Sequence, residues 1–203
     1  MAEHETVPNH HAHYGSFSGV GGVLAATTML FGRTNDARIA FQLSAVASGD
    51  VVLDLGCGPG AAARFAARRG VTVIGVDPAS VMLRVARMLT WAAPGIRYVE
   101  GVAERVPLDD ASVAGAWSIA SVHHWHDVSA GLREVRRVVQ PGGRFVAIEH
   151  RVRPNARGHA SHGWTEAQAN AFAAAARTEG FVDVTVQTHT AQRRHLISVV
   201  AIA

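Results

Sequence analysis

Apolar positions in this chain fall into two kinds of block, short β-branched or leucine-rich runs and longer stretches with helical spacing. The clearest run is Val51, Val52, Leu53 and Leu55, broken by Asp54 and ending in three glycines at alternate positions, Gly56, Gly58 and Gly60. It predicts a buried strand that enters a tight turn. Residues 61–69 follow as good helix formers with basic residues in the last turn and Gly70 as the stop. From residue 71 the alternation is regular. Strands are expected at 71–76, 96–101, 113–119 and 145–148, and helices at 80–91, 130–139 and 165–179. Two strands at 181–189 and 195–202 read as an antiparallel hairpin. Two further helices are expected at 23–31 and 36–47. This order of elements predicts a single open α/β sheet with helices on both faces, in which the strand ends bring Asp54, Asp77, Gly101, Ser118 and His150 to one edge.

Composition narrows this without changing it. The 203 residues are 48% hydrophobic and only 17% charged, which suits one globular domain. No internal repeat or second domain is visible; residues 1–48 read as an arm and helices over the site and 49–203 as the core. The net charge of +3 is too small and dispersed to argue for nucleic acid. Residues 1–18 lack the order of a signal peptide, and no apolar run approaches membrane-spanning length. A cytoplasmic protein without a membrane partner is therefore expected, with the oligomeric state left open. The single cysteine, Cys57, excludes an internal disulfide and reads as a small buried side chain between two glycines.

The glycine turn is the first candidate site. A turn this tight needs backbone angles and a close ligand approach that a Cβ would block. Dinucleotide folds use G-x-G-x-x-G, but here the third glycine falls one place early and Ala61 stands where that pattern needs glycine. Asp77 follows Gly58 by about the spacing at which nucleotide folds place an acid for ribose hydroxyls, and a carboxylate suits a vicinal diol. The other reading of Asp77 is an N-cap on the next helix, and the two roles are compatible.

At Asp54-Leu55-Gly56-Cys57-Gly58-Pro59-Gly60 the chain resembles the class I S-adenosylmethionine-dependent methyltransferases, whose first motif reads D-L-G-C-G-x-G. Gly101-Val102-Ala103-Glu104-Arg105-Val106-Pro107-Leu108 resembles the family's G-D-A-E-x-L-P-F, with Val102 in place of the acid that touches adenine. Residues 132–143 resemble L-x-E-x-x-R-V-L-x-P-G-G, which on its own physics is a helix stop and a turn back into the sheet. Together these segments span about half the chain. The resemblance implies strand order 3-2-1-4-5-7-6 with strand 7 antiparallel, and S-adenosylmethionine as cofactor, with S-adenosylhomocysteine as product. It implies cofactor contacts at Asp54, Gly56, Cys57, Gly58, Gly60, Asp77, Pro78, Val102, Ala103 and Ser118, with Tyr14 as an aromatic contribution from the arm. A small-molecule methyl acceptor is the expected partner and in-line displacement the expected chemistry; the family includes quinone-pathway and other small-molecule methyltransferases, an association too broad to name the substrate.

Two histidine-rich stretches complete the candidates. His123-His124-Trp125-His126-Asp127 admits a metal site, a general base, or a pocket-lining loop with Trp125 over the ligand. The resemblance favours the last two and makes His123 and His124 the catalytic candidates, with no metal assigned. His10-His11-Ala12-His13 also invites a metal, but close spacing without a scaffold reads as a mobile tail. Glu104 reads as a structural acid. The rival functions are a non-catalytic nucleotide-binding module, which Val102 favours, and a dinucleotide-dependent oxidoreductase, which the misplaced glycine disfavours.

Overall fold

The computed structural model describes residues 8–11, 34–191 and 194–203. Seven strands form one sheet: β1 Val51–Leu55, β2 Thr72–Asp77, β3 Ile96–Glu100, β4 Val113–Ile119, β5 Val139–His150, β6 Val182–Ala191 and β7 Arg194–Ile202. Their order is β3-β2-β1-β4-β5-β7-β6, as expected. The first five are parallel, and β7 runs antiparallel to both β5 and β6. The helices are α1 Thr34–Ser44, α2 Ala61–Ala67, α3 Ser80–Leu89, α4 Val128–Val138 and α5 Glu166–Thr178. The helix expected at 23–31 and Tyr14 lie outside the described residues.

Period-2 alternation divides the core between the two faces of the sheet. Leu53 and Leu55 of β1, Ala116 of β4 and Phe145 of β5 pack with Leu132 and Val135 of α4 and Phe172 of α5. Their strand neighbours Val52, Trp117, Val146 and Ile148 pack on the other side with Ala37 and Ala40 of α1, Ala63 of α2 and Leu83 of α3. Each fully buried aliphatic side chain of this kind contributes on the order of 1.5–3 kcal/mol. Both faces are covered, which is why the parallel strands read as nearly continuous apolar runs.

Two boundaries differ from expectation for visible reasons. α3 stops at Leu89: Thr90 turns its hydroxyl back onto the Ala86 carbonyl at 2.7 Å, and Trp91 beyond it is 88% exposed, with no core to face. β5 begins at Val139, before the Pro-Gly-Gly turn rather than after it. Val113 pairs with Val139 and Gly115 with Arg144, so residues 140–143 bulge against a single residue of β4. The bulge is held by the C-terminal residue: Gly142 N–H donates to the Ala203 carbonyl and Ala203 N–H to the Gly143 carbonyl, each at 2.9 Å. Among the described residues no helix is long and apolar enough to cross a membrane.

Candidate active site at the carboxyl ends of the strands

β1 leaves the sheet at Leu55, and the turn that follows is tied to β2. The N–H groups of Gly56 and Cys57 both donate to the Val76 carbonyl, at 2.8 and 3.1 Å. Gly56 (φ +73°) and Gly60 (φ +76°) sit in the left-handed region, where a side chain is strained. A Cβ on Gly56 would strike Ser121, and one on Gly60 would strike the Tyr98 hydroxyl. What these glycines leave is a small space lined by Asp54, Gly56, Cys57, Gly58, Pro59, Ala61, Ala62 and Ile119. Asp54 is 2% exposed at its base.

Asp77 closes the turn from the β2 side. Its Oδ2 accepts the Gly58 N–H at 2.8 Å and its Oδ1 the Ala79 N–H at 2.9 Å. The N-cap of α3 is Ala79, so the carboxylate does not fill the N-cap position that the sequence left open for it. Burial raises the Asp77 pKa, and the two N–H bonds oppose that rise. Burial, with Asp54 and Asp77 nearby, pushes the Cys57 thiol well up, which leaves it protonated and unreactive.

Pro78, next to Asp77, lines a second and more open depression with Glu100, Gly101, Val102, Arg105 and Pro107. Ala103 is buried beneath it in the core. This wall is held by a clamp from α4. Glu134 Oε2 accepts the Val106 N–H at 2.8 Å. Arg137 donates to the Val106 carbonyl at 2.9 Å, to the Leu108 carbonyl at 2.8 Å and to Glu134 at 2.8 Å. The hydrogen bond from Arg137 leads in holding the Glu134 pKa down. The E-x-x-R pair therefore shapes the wall of the depression, a role that its reading as part of a helix stop missed. Glu104 is structural, as expected, accepting the N–H groups of His126 at 2.7 Å and Asp127 at 3.0 Å.

Ser118 lies elsewhere. It is wholly buried in β4, on the face opposite Ile119, and Ile119 is the β4 residue that lines the space beside the glycines. Trp125 also turns inward: it is 4% exposed and packs toward Phe145 and Phe172 in the core, with ring centroids 6.3 and 6.2 Å away, so it does not lie over a ligand.

His123 and His124 form the turn after β4. His123 is 2% exposed, and its Nδ1 lies 2.8 Å from Oε2 of Glu149, which is fully buried at the end of β5. A carboxylate only accepts, so Nδ1 carries the proton. Burial alone would raise the Glu149 pKa, but the adjacent His123 and its hydrogen bonds outweigh it and hold the carboxyl low. His124, whose ring is bonded to the His11 backbone, is lowered to about 4 by burial and by the neighbouring His123.

Residues 8–11 are not the loose tail that their histidine spacing suggested. The His11 N–H donates to the His123 carbonyl at 2.9 Å. Asn9 donates to the Trp125 carbonyl at 2.9 Å, and the Trp164 indole donates to the Pro8 carbonyl at 2.8 Å. His10 Nε2 donates to the Ser161 carbonyl at 2.9 Å. These contacts bury His11 to 5% exposure, and that burial, with His10 and His162 close by, lowers its pKa to about 4. His162, in the loop after β5, joins the group with its ring centroid 4.3 Å from that of His11. Nothing in the local pattern of residues 151–163 marked it.

Residues 53–147 match the family described as a methyltransferase domain. An uncharacterized methyltransferase of Mycobacterium tuberculosis is 44% identical over 94 residues, covering 46% of this chain and 37% of the relative. A demethylmenaquinone methyltransferase of Chlorobaculum tepidum is 36% identical over 106 residues, covering 52% of this chain and 43% of the relative. The matched part thus spans less than half the length of these curated relatives. In fold, a crystal structure of an S-adenosylmethionine-dependent methyltransferase from Aquifex aeolicus superposes with a TM-score of 0.73 at 15% identity, over 88% of this chain and 97% of that one. The domain match falls on β1 through β5 of a sheet in this order, so this part of the chain is similar in sequence to a methyltransferase domain and the whole sheet has the fold of such enzymes.

Proposed function

We propose that the protein binds S-adenosylmethionine along the carboxyl ends of β1, β2 and β3 and transfers its methyl group to a small-molecule acceptor by in-line displacement. The observation that carries this reading is the meeting of Gly58 and Asp77 at 2.8 Å. Gly58 lines the space beside the glycine turn, and Pro78, which follows Asp77, lines the open depression, so in this reading one extended ligand reaches across both. The residues suit the cofactor. Gly56 and Gly60 leave a cradle that a Cβ would fill, and Asp54 offers a buried carboxylate to an amino group there.

In this reading Asp54, Gly56, Cys57, Gly58 and Gly60 hold the methionine part, and Asp77 with Pro78 holds the ribose. Val102 and Ala103 border the adenine with apolar surface, and Ser118 supports β4 from the far face. When bound, S-adenosylmethionine would supply a methyl carbon already activated by its sulfonium, with sulfur as the leaving group that would keep the C–S electron pair. The work of this chain is alignment. Ser121, which packs against Gly56, and the histidines that follow it put the His123–His124 turn beside the cradle. His123, oriented by Glu149, and His124 border the acceptor, and an imidazole there takes the proton of a hydroxyl acceptor.

Calorimetric titration with S-adenosylhomocysteine tests the cofactor assignment. Micromolar binding is expected, with no response to a nicotinamide dinucleotide. Absence of binding to the intact protein overturns the reading.

A further inference from the structure

The group around His123 holds more imidazole than proton transfer needs. Ligand-capable atoms of His11, His123 and His162 all lie within 4.8 Å of one another. The three residues come from separate segments: residues 8–11, the turn after β4 and the loop after β5. Their placement is built into the fold. Glu149 engages His123 at Nδ1, which leaves Nε2 as the nitrogen with a lone pair. A buried carboxylate behind a histidine is the arrangement that orients metal-bound imidazoles and raises their basicity. His11 is fixed by its backbone bond to His123 at 2.9 Å and by Ser161 Oγ, 3.2 Å from its Nε2. His11 and His123 are buried, while His162 is half-buried, so the group is reachable from one side.

We propose that His11, His123 and His162 form a three-histidine site for a divalent transition-metal ion, with zinc as the representative and a fourth position for water or an acceptor oxygen. Imidazole ligands suit zinc and its neighbours rather than magnesium or calcium. Three protein ligands with one exchangeable position is the pattern of catalytic zinc centres. Zinc-to-nitrogen bonds of about 2.0–2.1 Å at tetrahedral angles put ligand nitrogens about 3.4 Å apart, so binding needs only a modest contraction of the present cluster. A metal here would hold an acceptor hydroxyl and lower its pKa. That role rests on the methyl-transfer reading, whereas the metal site itself does not.

The test is zinc titration of the metal-stripped full-length protein, followed by calorimetry and by the visible spectrum of the cobalt(II)-substituted form. One equivalent per chain is expected, with a tetrahedral cobalt spectrum. Glu149→Gln should weaken zinc by about 10–100-fold, the usual effect of losing an outer-shell carboxylate. His11→Ala and His162→Ala should each weaken it by at least as much, and His126→Ala, an exposed histidine outside the cluster, should leave it unchanged. His162 is on a loop, so its variant keeps the test valid if Glu149→Gln fails to fold. No stoichiometric uptake overturns the site, as does uptake that His11→Ala and His162→Ala leave intact or that His126→Ala weakens as much. S-adenosylhomocysteine binding is measured on the same samples, so loss of the metal site and loss of the cofactor reading register separately.

Discussion

Asp77 and Gly58, nineteen residues apart, join through a 2.8 Å hydrogen bond from the Gly58 N–H to Oδ2 of Asp77. The bond ties the turn after β1 to the end of β2, and Oδ1 holds the start of the α3 turn through Ala79. Asp77→Ala is therefore expected to lower thermal stability and to weaken S-adenosylhomocysteine. The affinity loss should be about 1–3 kcal/mol, the scale of a hydrogen bond to a charged group or of an unmet buried partner. Calorimetry on the two proteins reads it, and undiminished affinity would remove Asp77 from the site.

The glycines of the turn differ in what a methyl group would meet. Gly60→Ala would push the Tyr98 ring aside as well as strain a left-handed backbone. At Gly58 the φ is +51° but the added carbon stands in open space. Gly58→Ala should thus lose about 1–2 kcal/mol of stability from the backbone alone. Gly60→Ala should lose more. Urea denaturation of both variants checks the order, and a reversed order would mean that Tyr98 yields easily.

The clamp on the open depression carries a pH signature. Arg137 leads in lowering the folded pKa of Glu134 below its ordinary 4.5, so the fold favours the ionised form. The stabilisation is present above the unfolded pKa and is lost as the pH falls through the folded one. Glu134→Gln should reduce the melting temperature at neutral pH, and the gap from the parent should narrow from about pH 5 downward as the parent protonates. A gap that stays constant with pH would mean that the charge of Glu134 contributes nothing.

Cys57 should behave as a buried, protonated thiol. An aromatic disulfide reagent is expected to modify it slowly in the folded protein and fast in denaturant, and bound S-adenosylhomocysteine should slow it further. Rapid labelling of the native protein would contradict the enclosure seen around it.

Elements with strong local patterns were legible in the sequence, and side chains with distant partners were not. The run from Val51 to Gly60 signals a buried strand and turn by itself, and the order of the sheet followed from the motifs that resembled the family. Ser118 and Ile119 show where such reading blurs: the strand was plain, but only the pairing register tells which of two adjacent residues faces the cradle. Glu134 and Arg137 lie three apart on a helix, yet their backbone partners are 28 to 31 residues away, and no spacing rule reaches that far. The placement of His10 and His11 fails for the same reason on a larger scale. Their partners lie beyond residue 120, and short-range spacing described only a string of imidazoles.

The bond from the Trp164 indole to the Pro8 carbonyl spans 156 residues. On the ribosome Pro8 emerges long before Trp164 exists, so the chain spends most of its synthesis with residues 8–11 lacking the surface they will occupy. The sheet from β1 to β4 can form around its own neighbours in the meantime, because those contacts are closer in sequence. The histidine group is then the last part of the site to assemble, and a refolding protein should recover its sheet before it recovers that corner.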